Sequence, residues 1–292
     1  MSWMEKARRP SKLNALCFAV VLAVWSCDLF SGSMAGADPV SSFHEGFESG
    51  HPLERGLRYD VANPSRVEIV RQSVRKGKYA LKLTVLPGDK AGGGKNLAEA
   101  KILREGGEDA EVWYGWSFMI PKDFKEHPKR AKAFNMIAQW INLPDRSKGD
   151  TFRTMLKLGP SVAARYGTDN GRPGIGILYG IKGKNKRAVA GVHIEKGSWV
   201  DLVFHIRWAQ DASGFVEIWV DGKPLMPFDG RAHRVFGPNM VNALPNIFKL
   251  GLCRGKRWAA NTTNSIFIDE IRIGNSFNQV FSERSTAQGK VG

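Results

Sequence analysis

From Val67 onward the chain is cut into short runs in which apolar and polar residues alternate, each stopped by a turn signal. Period-two alternation sets apolar side chains on one face of a strand and polar ones on the other. Residues 67–70 form one such run. Residues 79–86 stop at Pro87-Gly88, 113–120 at Pro121, and 151–158 at Gly159-Pro160. Residues 174–181, 189–194, 199–208, 215–220, 248–252 and 266–273 complete the set. Asp221-Gly222 predicts a tight hairpin, because glycine supplies the positive φ that such a turn needs. Many short strands at this spacing predict an all-β sandwich of two antiparallel sheets.

Little interrupts that pattern. A short helix is expected within residues 122–135, where Ala131, Lys132 and Ala133 are good formers. Gly92-Gly93-Gly94 reads as a flexible rim loop, and the polar tail 283–292 as frayed. No repeat of solenoid or propeller length is visible, so residues 38–282 are expected to form one domain.

The first 37 residues stand apart. Lys6, Arg8, Arg9 and Lys12 precede a short apolar run, Leu13 to Trp25, and Ala35-Gly36-Ala37 offers a small-x-small cleavage site. This order reads as a secretory signal peptide and predicts export, periplasmic or secreted. Cys27, after Val24-Trp25-Ser26, offers the alternative of lipoprotein attachment. No later segment is apolar enough to span a membrane as a helix. Cleavage would remove Cys17 and Cys27, and Cys253 alone cannot form an intrachain disulfide. It would also take four Lys/Arg and two Asp/Glu, so the formal charge of +15 would fall only to +13. Such an excess attracts polyanions. For an exported monomer the expected partner is an acidic polysaccharide rather than nucleic acid.

Several segments, in order, resemble the heparin lyase and glucuronan lyase type of polysaccharide lyase. Phe43-His44-Glu45-Gly46-Phe47-Glu48-Ser49-Gly50 looks like its first strand, and Val112 to Pro121 like its aromatic strand ending in proline. Gln139-Trp140 looks like the strand carrying a catalytic glutamine. Trp199 to Trp208 followed by Gly214 to Lys223 matches its most typical hairpin, and Phe248 to Leu252 and Ile268 to Gly274 its last strands. The resemblance spans nearly the whole mature chain. It implies a concanavalin-like β-jelly-roll and a β-elimination beside a uronic acid. That reaction needs a cation or amide on the C5 carboxylate, a base for the C5 proton and an acid for the departing C4 oxygen.

The sequence fills this template in part. Gln139 is expected to bind the carboxylate. Glu99 and Lys101 resemble two positions of the Arg-x-Glu-x-Arg strand of related alginate lyases, with Leu97 in place of the first Arg and Lys101 of the second. Glu99, Lys101 and Leu103 fall on one strand face. Trp140 and Ile141 follow the glutamine where relatives often have His, and Lys249-Leu250-Gly251-Leu252-Cys253 places a thiol where relatives have an acid/base Tyr. Lys249, Tyr179 and His193 are therefore the further catalytic candidates, with Tyr166 as a reserve; His205 sits in a hydrophobic run and reads as a core histidine. Arg153 and Lys157, taken as neighbours on a strand face, together with Trp140 and Arg254, are expected to line a basic groove. No cofactor is required, although Glu45, Glu48 and Asp269 offer hard oxygen ligands for a structural calcium ion tying the first strand to the last. Two other classes remain at this point. A non-catalytic lectin-like glycan binder on the same fold is suggested by the missing His and Tyr. A glycoside hydrolase would need a close carboxylate pair, but Glu217 and Asp221 flank a hairpin turn and read as structural.

Overall fold

The computed structural model describes residues 41–51, 56–102, 106–126, 135–254 and 262–282. The expected signal peptide, the polar tail, Leu103 and most of the expected helix at 122–135 lie outside them; Asn135 itself begins a strand.

Sixteen strands are present among the described residues. In chain order they are β1 (Phe43–Glu45), β2 (Arg58–Val61), β3 (Val67–Val70), β4 (Ala80–Val85), β5 (Leu97–Ile102), β6 (Glu111–Met119), β7 (Asn135–Asn142) and β8 (Val162–Asp169). There follow β9 (Arg172–Tyr179), β10 (Arg187–His193), β11 (Trp199–Arg207), β12 (Phe215–Val220), β13 (Lys223–Pro224), β14 (Val235–Phe236), β15 (Asn246–Arg254) and β16 (Asn264–Gly274). They build two antiparallel sheets. One has the order β13-β12-β11-β6-β16-β4-β3, with β1 on β16 and β14 on β12. The other has the order β10-β9-β8-β7-β15-β5-β2. The fold is the expected jelly-roll sandwich. Asp221 and Gly222 take φ of 50° and 76°, as a hairpin with left-handed turn residues requires.

The alternating runs meet in one apolar interior. Trp140 and Phe248 of the seven-stranded sheet stack at 4.6 Å between centroids, and Trp116 and Phe204 of the nine-stranded sheet stack at 5.4 Å. Edge contacts of Tyr114 and Trp116 with Trp140 and Phe248 join the two pairs across the sandwich. Large aromatic rings bury much area and interlock with defined geometry, so this knot sets the spacing of the sheets.

Two local features shape the outer face of the seven-stranded sheet. At Gly251, φ is 143° and a Cβ would lie 2.2 Å from the Ala98 carbonyl, so only glycine lets β15 approach β5 there. The β15–β7 register shifts between Leu250 and Cys253, a bulge of the kind that re-aims the side chains beside it.

The second feature corrects an expectation. Residues 151–158 are not a strand: Phe152–Leu158 is a helix. Thr151 and Thr154 form a reciprocal capping box, each side chain accepting the other's backbone N–H, at 3.2 and 2.9 Å. That local bonding overrides the weak alternation of the run. Leu156 of this helix comes to 3.4 Å from where a Cβ on Gly93 would stand, and Ala91 packs on the sheet beneath. The glycine loop and the helix thus meet over the outer face.

Candidate functional site

Strands β2, β5, β15 and β7 lie side by side. Their register sets Arg58 opposite Lys101, Lys101 opposite Lys249, and Lys249 opposite Gln139. Residues directly opposite share a face. Their neighbours Ala98, Ala100, Leu250 and Trp140 point into the core, so this row points outward. Along the next row, Asp60 stands opposite Glu99, and Glu99 opposite Gly251. A row of donors therefore runs beside a row of acids.

The two rows are bonded into one network. The Gln139 amide donates to one oxygen of Glu99, and Lys249 Nζ lies 3.4 Å from the other. Lys249 Nζ also donates to Asp60 Oδ2 at 2.5 Å, and Lys101 Nζ to Asp60 Oδ1 at 2.7 Å. Burial pulls the Lys249 pKa down, but the charge of Glu99 and the bond to Asp60 outweigh it and hold the ammonium above the usual lysine range. Burial likewise pushes Asp60 up, and its bonds to Lys101 and Lys249 override that and hold the carboxyl below its usual range. A buried lysine kept protonated cannot accept a proton; it presents fixed positive charge.

The network is graded in exposure. Glu99 and Gln139 are 1% and 2% exposed, whereas the Lys101 and Asp60 side chains keep 24% and 20%. Solvent therefore reaches it from the β2 edge. At the covered end Leu97, Met136, Ala163 and Cys253 form a small apolar cluster. Burial, with the Glu99 charge adding, pushes the Cys253 thiol up to about 12. At neutral pH it stays protonated and is no substitute for an acid/base tyrosine.

Of the predicted residues, the fold brings Glu99, Lys101, Gln139 and Lys249 together. Others it places elsewhere. Trp140 is fully buried in the core, because it alternates with Gln139 on the same strand. Tyr179 also points inward; its hydroxyl donates to the Gly237 carbonyl and accepts from Asn239, and burial raises its pKa far above the usual tyrosine value. Tyr166 is buried as well and donates to Glu126 at 2.6 Å. Arg254 is held at the end of the sandwich, donating to the carbonyls of Val85 and Thr262 at 2.8 and 2.7 Å. His193 shares the outer face but lies on edge strand β10, three strands from β7, or about 20 Å from Gln139 by strand spacing and rise. It lines a separate cavity of 960 Å³ with Arg172, Trp199 and Lys223. Arg153 and Lys157 are exposed on the helix, not on a strand. His205 bonds Glu217 at 2.7 Å within the other sheet's outer face.

The carboxylates named as possible calcium ligands each accept backbone N–H groups. Glu45 accepts the Phe47 N–H at 2.5 Å, Glu48 accepts those of Lys78 and Tyr79, and Asp269 those of Arg75, Lys76 and Glu270. All three carboxylates thus carry bonds to backbone N–H groups. Among the described residues no group of three or more His, Cys, Asp or Glu is arranged to hold a metal.

Sequence reasoning missed Asp60 and Arg58, because β2 is too short and too polar to stand out as a strand. It also missed Arg165, which shares the outer face opposite Met136 and Gly176 and whose pKa burial pushes down to about 10.

Comparison with known proteins agrees with this architecture. The endo-β-1,4-glucuronan lyase of the fungus Trichoderma reesei superposes with a TM-score of 0.56 and 22% identity, over 82% of this chain and 97% of that one. The alginate lyase Aly36B gives 0.51 and 13%, over 84% and 100%. A carbohydrate esterase of the Shiga toxin-encoding bacteriophage phi24B gives 0.51 and 14%, over 81% and 100%, so the fold alone does not dictate the chemistry. A search of curated protein sequences returned no match. The model of the family described as polysaccharide lyase matches residues 39–272, most of the sequence and nearly all of the sandwich, and the chain belongs to that family.

Proposed function

We propose that this protein is an exported lyase that cleaves a uronate-containing polysaccharide by β-elimination. The observation that carries the proposal is Lys249: a buried ammonium, held protonated between Glu99 and Asp60, directly across from Gln139 in a chain of the polysaccharide lyase family. In the reaction the C5–H bond breaks, negative charge spreads onto the C5 carboxylate, and the C4–O bond breaks as the double bond forms. Lys249 and Lys101 oppose that charge. Gln139, its amide held by Glu99 and bonded to Cys253, sets an amide dipole beside the two lysines. Such preorganised charge in a poorly hydrated site lowers the barrier more than the same groups would in water. Glu99 positions both Gln139 and Lys249. The C5 proton passes to a base other than the protonated Lys249, and the departing C4 oxygen gains a proton and leaves as a hydroxyl. The Trichoderma and Aly36B proteins, whose names give uronate polymers as their substrates, support the same substrate class.

The test is an assay of the purified mature protein on glucuronan, alginate, heparin and pectate, read by ultraviolet absorbance of the unsaturated product. A rise on at least one uronan and none on neutral glucans is expected. No rise on any uronan sinks the proposal.

A further inference from the structure

We infer that Arg58, with the cleft beside Lys101, forms an outlying subsite for a second uronate and makes the protein selective for chain length. This rests on the reading of the network as uronate-binding.

The first ground is register. Arg58, Lys101 and Lys249 stand in one line across β2, β5 and β15. Neighbouring strands are about 5 Å apart, so Arg58 lies about 10 Å from Lys249. One strand spacing is close to the length of one pyranose unit in an extended 1,4-linked chain. A polymer crossing the strands at right angles therefore advances by roughly one sugar per strand. With one carboxylate at Lys249, another falls within reach of Arg58.

The second ground is shape. A cleft of 510 Å³ opens at the β2 edge, lined by Gly56, Leu57, Arg58, Tyr59 and Lys101. It meets the network where Lys101 and Asp60 are still exposed. Among the described residues, no atom lies within 4 Å of where a Cβ on Gly56, at φ of 84°, would stand.

The third ground is charge. Lys101 and Lys249 share Asp60, and Lys249 also faces Glu99. Arg58 is exposed, and among the described residues no carboxylate forms an ion pair with it. Its planar fork suits bidentate contact with a carboxylate, which a neutral sugar lacks.

The experiment measures binding of a uronate oligomer series, from disaccharide to hexasaccharide, by calorimetry with wild type, Arg58→Ala and Arg58→Lys. Product formation is followed in parallel. Arg58→Ala is expected to weaken binding of about tetramer and longer by roughly tenfold, with a much smaller loss for the disaccharide and partial recovery in Arg58→Lys. An equal loss at every length, or none, overturns the subsite; unchanged melting of the variants keeps misfolding out of the comparison. If the wild type makes no unsaturated product yet binding depends on Arg58 and on length, the lyase reading falls and the subsite stands. If it makes product and Arg58→Ala behaves as wild type, the subsite falls alone. If it binds no uronate oligomer, both fall.

Discussion

The two outer faces of this sandwich carry charge in opposite ways. On the nine-stranded sheet, the charges close into pairs. His205 sits between Glu217 and Glu111, at 2.7 and 3.3 Å, and stacks on Trp113 at 4.0 Å. Arg207 pairs with Asp109 and Glu111, and Arg234 with Glu217 while covering the Phe215 ring at 3.8 Å. Every cation named there has a partner, and aromatic rings fill the gaps. On the seven-stranded sheet, Arg58, Lys101 and Lys249 face only Asp60 and Glu99 along the network, and the cation left over is the exposed one at the edge. The first arrangement leaves no charge over among the residues named; the second leaves one cation, graded from a buried end to an open edge. Under the proposed function, the first face is structural and the second is the one that binds the polysaccharide.

Substitutions on each face test that division. The largest effect is expected for Lys249→Met. Removing the fixed charge should lower kcat on the preferred uronan by about 100-fold or more. It also strands the buried Glu99, so a stability loss of about 3 kcal/mol should appear in urea unfolding. Gln139→Ala should cost about 100-fold in kcat/KM with a smaller loss of stability, since Glu99 keeps Lys249. On the other face, Glu217→Gln removes the charge bonded to His205 and Arg234. It should lower stability by about 1–2 kcal/mol and leave kcat/KM within twofold of wild type. An activity loss there comparable with Lys249→Met would erase the contrast between the faces.

A pH series sharpens it further. Asp60 has its folded pKa held below the unfolded value by Lys101 and Lys249. The stabilisation is therefore present above the unfolded pKa, about 4, and is lost as pH falls through the depressed folded value. The stability gap between wild type and Asp60→Asn should be open at neutral pH and close as pH drops below about 4, as followed by thermal melting. The smallest effect concerns Cys253. Its buried thiol, pushed up to about 12, should resist iodoacetamide at pH 8 in the folded protein and react once unfolded.

How much of this was legible in the sequence follows from the range of the interactions involved. The runs at 67–70, 215–220 and 266–273 became strands because alternation and turn residues act locally. Residues 151–158 alternate too, yet a two-residue capping box turned them into a helix. Gln139, Lys249, Glu99 and Lys101 were found through resemblance to known lyases, and their meeting is a matter of register between β5, β15 and β7, far apart in the chain. Tyr179 and Trp140 were misassigned because alternation gives two faces without saying which is the core. Trp140 shows the outcome: in a strand buried along its whole length, the large aromatic residue takes the inner face and the amide beside it the outer. Asp60, the acid that bridges both lysines, lay in a four-residue strand with no apolar run to announce it.

Under the proposed function, the open edge and buried end of one network serve elimination rather than hydrolysis or de-esterification. Mass spectrometry of the products from a uronan oligomer tests it most directly. Elimination gives fragments whose new non-reducing end is an unsaturated uronate, lighter by one water than a hydrolysis product, and these should be lost in Lys249→Met. Fragments of full hydrolytic mass, or an unchanged chain stripped only of ester groups, would contradict it.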